Sequence, residues 1–167
     1  LAQSLGRTLL YVVARSEHAR QVHDELAVWL PASADDTAAP ARFLLADPDS
    51  LPYERVAWSR ETRQTRLATL SALSQPMGRP LLIVASTRSL MQKTLPPREL
   101  RLAAKPLRVG QMLDLNETLT RWLGLGYRSD AVVEEVGQLS RRGGIIDLWP
   151  PNLLWPVRIE LFGDEVD

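Results

Sequence analysis

The sequence predicts an α/β chain in two parts: a layered parallel-sheet domain over residues 1–105, then a small α+β domain with an antiparallel sheet over residues 106–167. Three observations predict it. Continuous apolar runs alternate with helical patterns in the first part, the helical period vanishes after Tyr127, and turn residues then separate short apolar stretches. A chain of 167 residues with 45% hydrophobic and 24% charged content can hold two small domains, each with a core.

Leu9-Leu10-Tyr11-Val12-Val13-Ala14 is the kind of run carried by a strand covered on both faces in a parallel sheet. Ser16 is placed to cap a helix over residues 17–30, where Ala19, Val22, Leu26 and Trp29 or Leu30 recur three and four apart as one buried stripe. Pro31 and the small, polar residues 32–40 break it with an exposed loop. Arg42-Phe43-Leu44-Leu45 is a second strand, leading into the turn-rich Asp47-Pro48-Asp49-Ser50-Leu51-Pro52. Residues 62–73 form another amphipathic helix, with Leu67, Leu70 and Leu73 inward and arginines on the other side. Leu81-Leu82-Ile83-Val84-Ala85 is a third buried strand, and Ser86 or Thr87 caps a short helix through Leu90 and Met91. Three strand–helix pairs in succession imply right-handed parallel crossovers.

After Pro96-Pro97 the pattern changes. Leu107-Arg108-Val109-Gly110 suggests a strand and turn, and residues 113–123 a helix with Leu115, Leu119 and Trp122 or Leu123 inward, stopped by Gly124 and Gly126. Three strands follow over residues 131–135, 144–149 and 157–162, separated by Gly137, Gly143-Gly144, Pro150-Pro151-Asn152 and Gly163-Asp164.

Several function classes find no support. Twenty basic and twenty acidic residues cancel, so any grip on nucleic acid must be local rather than bulk electrostatics. There is no cysteine for a disulfide framework or a thiolate metal site, and no apolar run approaches the roughly 20 residues that span a bilayer. No Gly-x-x-x-x-Gly-Lys-Ser/Thr phosphate loop is present, and Gly124-Leu125-Gly126 follows a helix where a dinucleotide motif would precede one. His18 and His23 lie five apart on one helix and diverge, a poor metal pair. Asp35-Asp36 and Glu134-Glu135 are neighbours that do not converge on one cleft. The start, Leu1-Ala2-Gln3-Ser4, has neither an initiator methionine nor a signal peptide, so the chain reads as an excised cytoplasmic fragment with a shortened first domain.

The final strand is more informative. Alternation along Val157-Arg158-Ile159-Glu160-Leu161-Phe162 sends Arg158, Glu160 and Phe162 to one face and the aliphatic residues to the core. With Arg142 at the start of a neighbouring strand, that outward row has the composition of an interaction hot spot. A solvated sheet face on which Phe162 covers a neighbour would show the same pattern.

The run Val133-Glu134-Glu135-Val136-Gly137-Gln138-Leu139-Ser140-Arg141-Arg142-Gly143-Gly144-Ile145-Ile146-Asp147-Leu148-Trp149-Pro150, with Val157-Arg158-Ile159-Glu160-Leu161-Phe162-Gly163-Asp164-Glu165, resembles the stretch shared by UvrB and the transcription-repair coupling factors. Leu51-Pro52-Tyr53-Glu54-Arg55, Arg66-Leu67-Ala68-Thr69-Leu70 and Leu125-Gly126-Tyr127 are similar to the coupling factors rather than to UvrB. The resemblance implies a degenerate helicase-like α/β domain that does not hydrolyse ATP, followed by a small domain, itself shortened at its end, that recruits UvrA. It implies UvrA contacts at Arg142, Arg158 and Phe162, and no catalytic residue, metal or cofactor in this segment. ATP and Mg, RNA polymerase and double-stranded DNA would engage other domains of the parent protein. Two alternatives stay open: a fragment of UvrB itself, and a vestigial helicase domain that binds DNA through Arg60, Arg63 and Arg66.

Overall fold

Leu81-Leu82-Ile83-Val84-Ala85-Ser86 holds only aliphatic residues and one small hydroxyl, so it can sit inside a sheet covered on both faces, and all six residues are buried. In the computed structural model, which describes residues 6–30, 39–51, 53–54, 56–75 and 78–167, this strand, β3 (Leu81–Ser86), lies between β1 (Leu9–Val13) and β2 (Ala41–Leu45), parallel to both. The parallel sheet matches expectation; the burial of β1 does not. β1 pairs on one side only, and Leu10, Tyr11 and Val12 are exposed. Periodicity identifies a strand but does not say whether it lies at the centre or the edge.

Helix α1 (Ser16–Trp29) buries Ala19 completely and packs Val22 and Leu26 against Val13 and Val84. Ser16 is its first residue rather than its cap; Arg15 occupies the cap position without a side-chain bond. Trp29 is exposed, and Leu30 is half-buried in its place. Most of the loop expected over residues 32–40, together with Pro31, Pro52 and Arg55, falls outside the described residues.

Helix α2 (Arg60–Ser74) starts at a proper cap: Ser59 Oγ accepts from the Thr62 N–H at 3.1 Å. Asp49 reinforces that end, accepting from the Ser59 N–H and, at 2.7 Å, from the Thr62 hydroxyl. The Thr62 bond is the main reason the Asp49 carboxyl is held below its usual range. The inward face differs from the expected leucine stripe. Thr62, Arg66, Thr69 and Ala72 are buried, whereas Leu67 and Leu70 are half-buried and Leu73 is exposed. Specific acceptors make polar burial possible: Thr69 Oγ1 donates to Leu44 O at 2.8 Å, and Arg66 Nη1 to Ala46 O at 2.7 Å and Ser89 O at 3.3 Å. Arg60, Arg63 and Arg66 therefore do not share one exposed surface. Ser86, not Thr87, caps the short α3 (Thr87–Leu90), its Oγ accepting from the Ser89 N–H at 3.0 Å.

The chain divides into two compact units, Leu1–Arg101 and Leu102–Asp167. Across that division runs α4 (Pro97–Ala103), a helix the sequence reading does not anticipate; Pro97 opens it and Leu100 is its buried residue. Residues 107–110 form no strand. Instead the Gly110 N–H donates to Val166 O at 2.8 Å and the Val166 N–H to Gln111 O at 3.0 Å. Helix α5 (Leu115–Gly124) is capped by Asp114, which accepts from the Glu117 N–H at 2.8 Å, and it half-buries Leu115, Leu119 and Trp122.

The second sheet runs β4 (Arg128–Ser129), β5 (Gln138–Arg142), β6 (Ile145–Leu148), β7 (Val157–Phe162) and β8 (Glu165–Val166), in that order. It is mixed rather than purely antiparallel, because β4 is parallel to β5. The strand expected over residues 131–135 is a loop. Gln138 Oε1 accepts from the Glu134 and Glu135 N–H groups at 2.8 and 2.7 Å, taking donors that a ladder would otherwise use.

One glycine is needed for the approach of β7 to the turn before β6. A Cβ on Gly144 would stand 2.9 Å from Leu161 O, while the Leu161 N–H donates to Gly144 O at 2.8 Å. Gly144→Ala is therefore expected to destabilise the chain by about 1–3 kcal/mol, the usual cost of overpacking against backbone, read as a lowered denaturant midpoint.

Candidate functional site

Arg142-Gly143-Gly144-Ile145 joins β5 to β6 through a two-residue turn whose first central residue, Gly143, has φ +62°, the conformation a type II′ hairpin takes there. That turn sets the register. Ser140 faces Asp147 and Arg142 faces Ile145; on the other side of β6, Asp147 faces Arg158 and Ile145 faces Glu160. The pleat then separates two faces. Leu139, Ile146 and Leu148 are buried on one, with Val157, Ile159 and Leu161 half-buried beside them. Arg142, Ile145, Asp147, Arg158, Glu160 and Phe162 share the other.

All three residues singled out from the sequence, Arg142, Arg158 and Phe162, thus stand exposed on one face of one sheet. Phe162 is 86% exposed, so it does not fold back over a neighbour. One expected detail is wrong: Arg142 ends β5 instead of beginning the strand beside β7, and β6 lies between them. A two-residue turn places Arg142 before the hairpin reverses, which residue spacing alone does not reveal.

Neither arginine hangs free. Arg158 donates from Nε to Asp147 Oδ1 at 2.7 Å and from Nη2 to Asp147 Oδ2 at 3.0 Å, a bidentate pair between directly opposed residues. Arg142 Nη2 donates to Ala131 O at 3.0 Å, and its charge also acts on Asp147. The Arg158 hydrogen bonds are the largest cause holding the Asp147 carboxyl below its usual range, and the same bonds raise the Arg158 guanidinium. A carboxyl depressed in the folded chain contributes above its unfolded pKa and is lost as pH falls through the folded one. The pair therefore persists at neutral pH and opens only in acid.

Asp147 and Ile145 are the members of this face that the sequence reading passes over. The available signal was the Gly143-Gly144 turn, which places Asp147 across from Arg158 once the register is counted. The other polar clusters do not assemble. His18 is exposed, His23 Nδ1 lies 3.3 Å from Asp24 Oδ1, and Glu135 pairs with Arg128 at 3.2 Å. Asp35 and Asp36 lie outside the described residues. Among the described residues no group of three or more His, Cys, Asp or Glu is placed to hold a metal, and no helix is long and apolar enough to cross a membrane.

A family model described as the UvrB interaction domain matches residues 106–167. Over 164 residues the chain is 32% identical to a transcription-repair-coupling factor from Myxococcus xanthus, covering 98% of this chain and 14% of that protein. The corresponding protein of Mycobacterium tuberculosis is 34% identical over 145 residues, 80% of this chain and 12% of its own length. That of Staphylococcus aureus is 34% identical over 119 residues, 71% of this chain and 10% of its own length. The chain spans 14% or less of each of these relatives. The exposed row thus falls within the residues that the UvrB interaction domain model matches, and the chain belongs, along nearly its whole length, to the transcription-repair-coupling-factor family.

Proposed function

We propose that this chain is a non-catalytic recruitment module that docks UvrA in transcription-coupled nucleotide excision repair. The observation that supports it most directly is the exposed face on which Arg142, Arg158 and Phe162 stand together within a UvrB interaction domain. In this reading the two arginines supply charge-assisted hydrogen bonds to carboxylates on UvrA, and Phe162 fills an apolar pocket of that partner. Docking of this kind requires no cofactor. ATP and Mg, RNA polymerase and double-stranded DNA belong, in the same proposal, to other domains of a parent DNA translocase in the bacterial cytoplasm. The coupling-factor names of the relatives favour that parent over UvrB. Direct DNA binding through Arg60, Arg63 and Arg66 is disfavoured, because Arg66 is 3% exposed and bonded to backbone carbonyls.

Calorimetric titration of the chain against UvrA tests the reading. Saturable binding is expected, weakened by about tenfold in Arg158→Glu, because a charge at a docking face is replaced by its opposite. Equal affinity for UvrA in a folded Arg158→Glu chain would place the interface elsewhere. A parallel titration with duplex DNA is expected to show no steeply salt-dependent binding of the kind that phosphate contacts produce.

A further inference from the structure

We propose that Asp147 is a positioning residue for the docking face: its carboxylate clamps the Arg158 guanidinium in one orientation and so presents that side chain to the partner already ordered. The inference rests on the recruitment reading above and adds to it a residue that makes no direct contact with the partner.

The geometry carries it. Asp147 and Arg158 face each other across β6 and β7, and both carboxylate oxygens are engaged, at 2.7 and 3.0 Å. The Asp147 side chain is 24% exposed against 56% for Arg158, so the acid sits down in the sheet surface while the arginine stands above it. The strand positions of both residues are held by the β6–β7 ladder, which leaves the side chains little freedom to separate. Of the five N–H donors of a guanidinium, two are taken by Asp147, and about three remain for an external acceptor. Asp147 thus holds one edge of the planar group and leaves the other to the partner. Two charged neighbours on this face favour that arrangement. Arg142, on β5, favours the ionised Asp147, and Glu160, two residues along β7, favours the charged Arg158.

An unclamped arginine has many rotamers, and ordering them on binding opposes association. A clamped one has lost that freedom before the partner arrives. The opposite arrangement is a masking one, in which Asp147 competes with the partner's own acceptor and must be displaced. The two differ in sign, which makes them separable by experiment.

The test uses the whole 167-residue chain. NMR of the Arg158 Nε–Hε group in the free chain is expected to show an ordered, slowly exchanging proton that becomes mobile in Asp147→Ala. Asp147→Ala is expected to weaken UvrA binding by about fivefold, the scale of one newly ordered long side chain, and Asp147→Glu to recover most of that loss. In an Arg158→Ala background, Asp147→Ala is expected to have no further effect, since the residue acts through Arg158. A role in folding alone would instead lower the melting temperature and persist in that background. A mobile Arg158 in the unaltered chain, a tighter complex with Asp147→Ala, or an undiminished Asp147→Ala effect without Arg158 would each overturn the proposal while leaving the recruitment reading in place. An ordered Arg158 in a chain that fails to bind UvrA would instead overturn that reading, and this proposal with it.

Discussion

Phe162→Ala is expected to reduce the affinity for UvrA by about thirtyfold, equivalent to roughly 2 kcal/mol, while the melting temperature of the chain stays unchanged. The two halves of this expectation come from the same observation. Phe162 is 86% exposed at the end of β7, so its ring contributes little to the core and its removal leaves no cavity. An aromatic ring left in water on the same sheet face as Arg142, Ile145 and Arg158 is the kind of side chain that docking would bury. Hot-spot energies concentrate on such rings because docking dehydrates the whole ring at little cost in rotamer freedom. Phe162→Leu should retain part of the affinity, since it keeps apolar area and loses the ring shape. Calorimetry with the unaltered chain, Phe162→Ala and Phe162→Leu checks the order. Equal binding by all three would remove Phe162 from the interface and leave the face to its charges.

Much of this face was legible in the sequence, and its limits have physical causes. β7 has the bounds that alternation predicts, because one side of the strand meets the core and the other meets water, and a period of two is the direct imprint of that condition. The position of Arg142 was half legible: Gly143-Gly144 announces a hairpin, but which side of the turn a residue ends on depends on the two-residue turn geometry. Asp147 shows no role in the linear sequence, since its partner Arg158 is eleven residues away and is reached only by counting register from β6 to β7. The first unit shows a different failure. On α2 the spacing points the leucines inward, yet the helix buries Thr62, Arg66, Thr69 and Ala72. Hydropathy cannot foresee a buried threonine or arginine, because the burial depends on carbonyls at Leu44, Ala46 and Ser89 that only the folded sheet brings close. The exposed side of β1 is likewise a property of strand order, which no local pattern encodes.

Arg66→Met is expected to destabilise the chain by about 3 kcal/mol, which lowers the melting temperature by roughly 12–24 °C for a unit of this size. Met matches much of the stem volume, so the loss comes from polar groups rather than from a cavity. Two buried carbonyls, Ala46 O and Ser89 O, lose their Arg66 donor, and Asp47 loses a favourable charge while retaining its bond from the Ser86 hydroxyl. The guanidinium also lies 5.4 Å from the Trp58 ring centroid, and that stacking disappears as well. Opposing these losses is the relief of burying a cation. Desolvation is the dominant influence lowering the Arg66 pKa, and its Nη2 has no hydrogen-bond partner. The balance is decided by which groups stay behind. Replacing both members of a buried charged pair with apolar residues is often neutral, but here only the cation leaves, and its carbonyl and carboxylate partners remain in place. Arg66→Lys should fall between the two, keeping the charge but not the planar fork that reaches from β2 to α3 and stacks on Trp58. Thermal denaturation followed by far-UV circular dichroism checks the series. A Met variant as stable as the unaltered chain would mean that desolvation cancels the hydrogen bonds, and that the inward face of α2 is held by Thr69 and Ala72 instead.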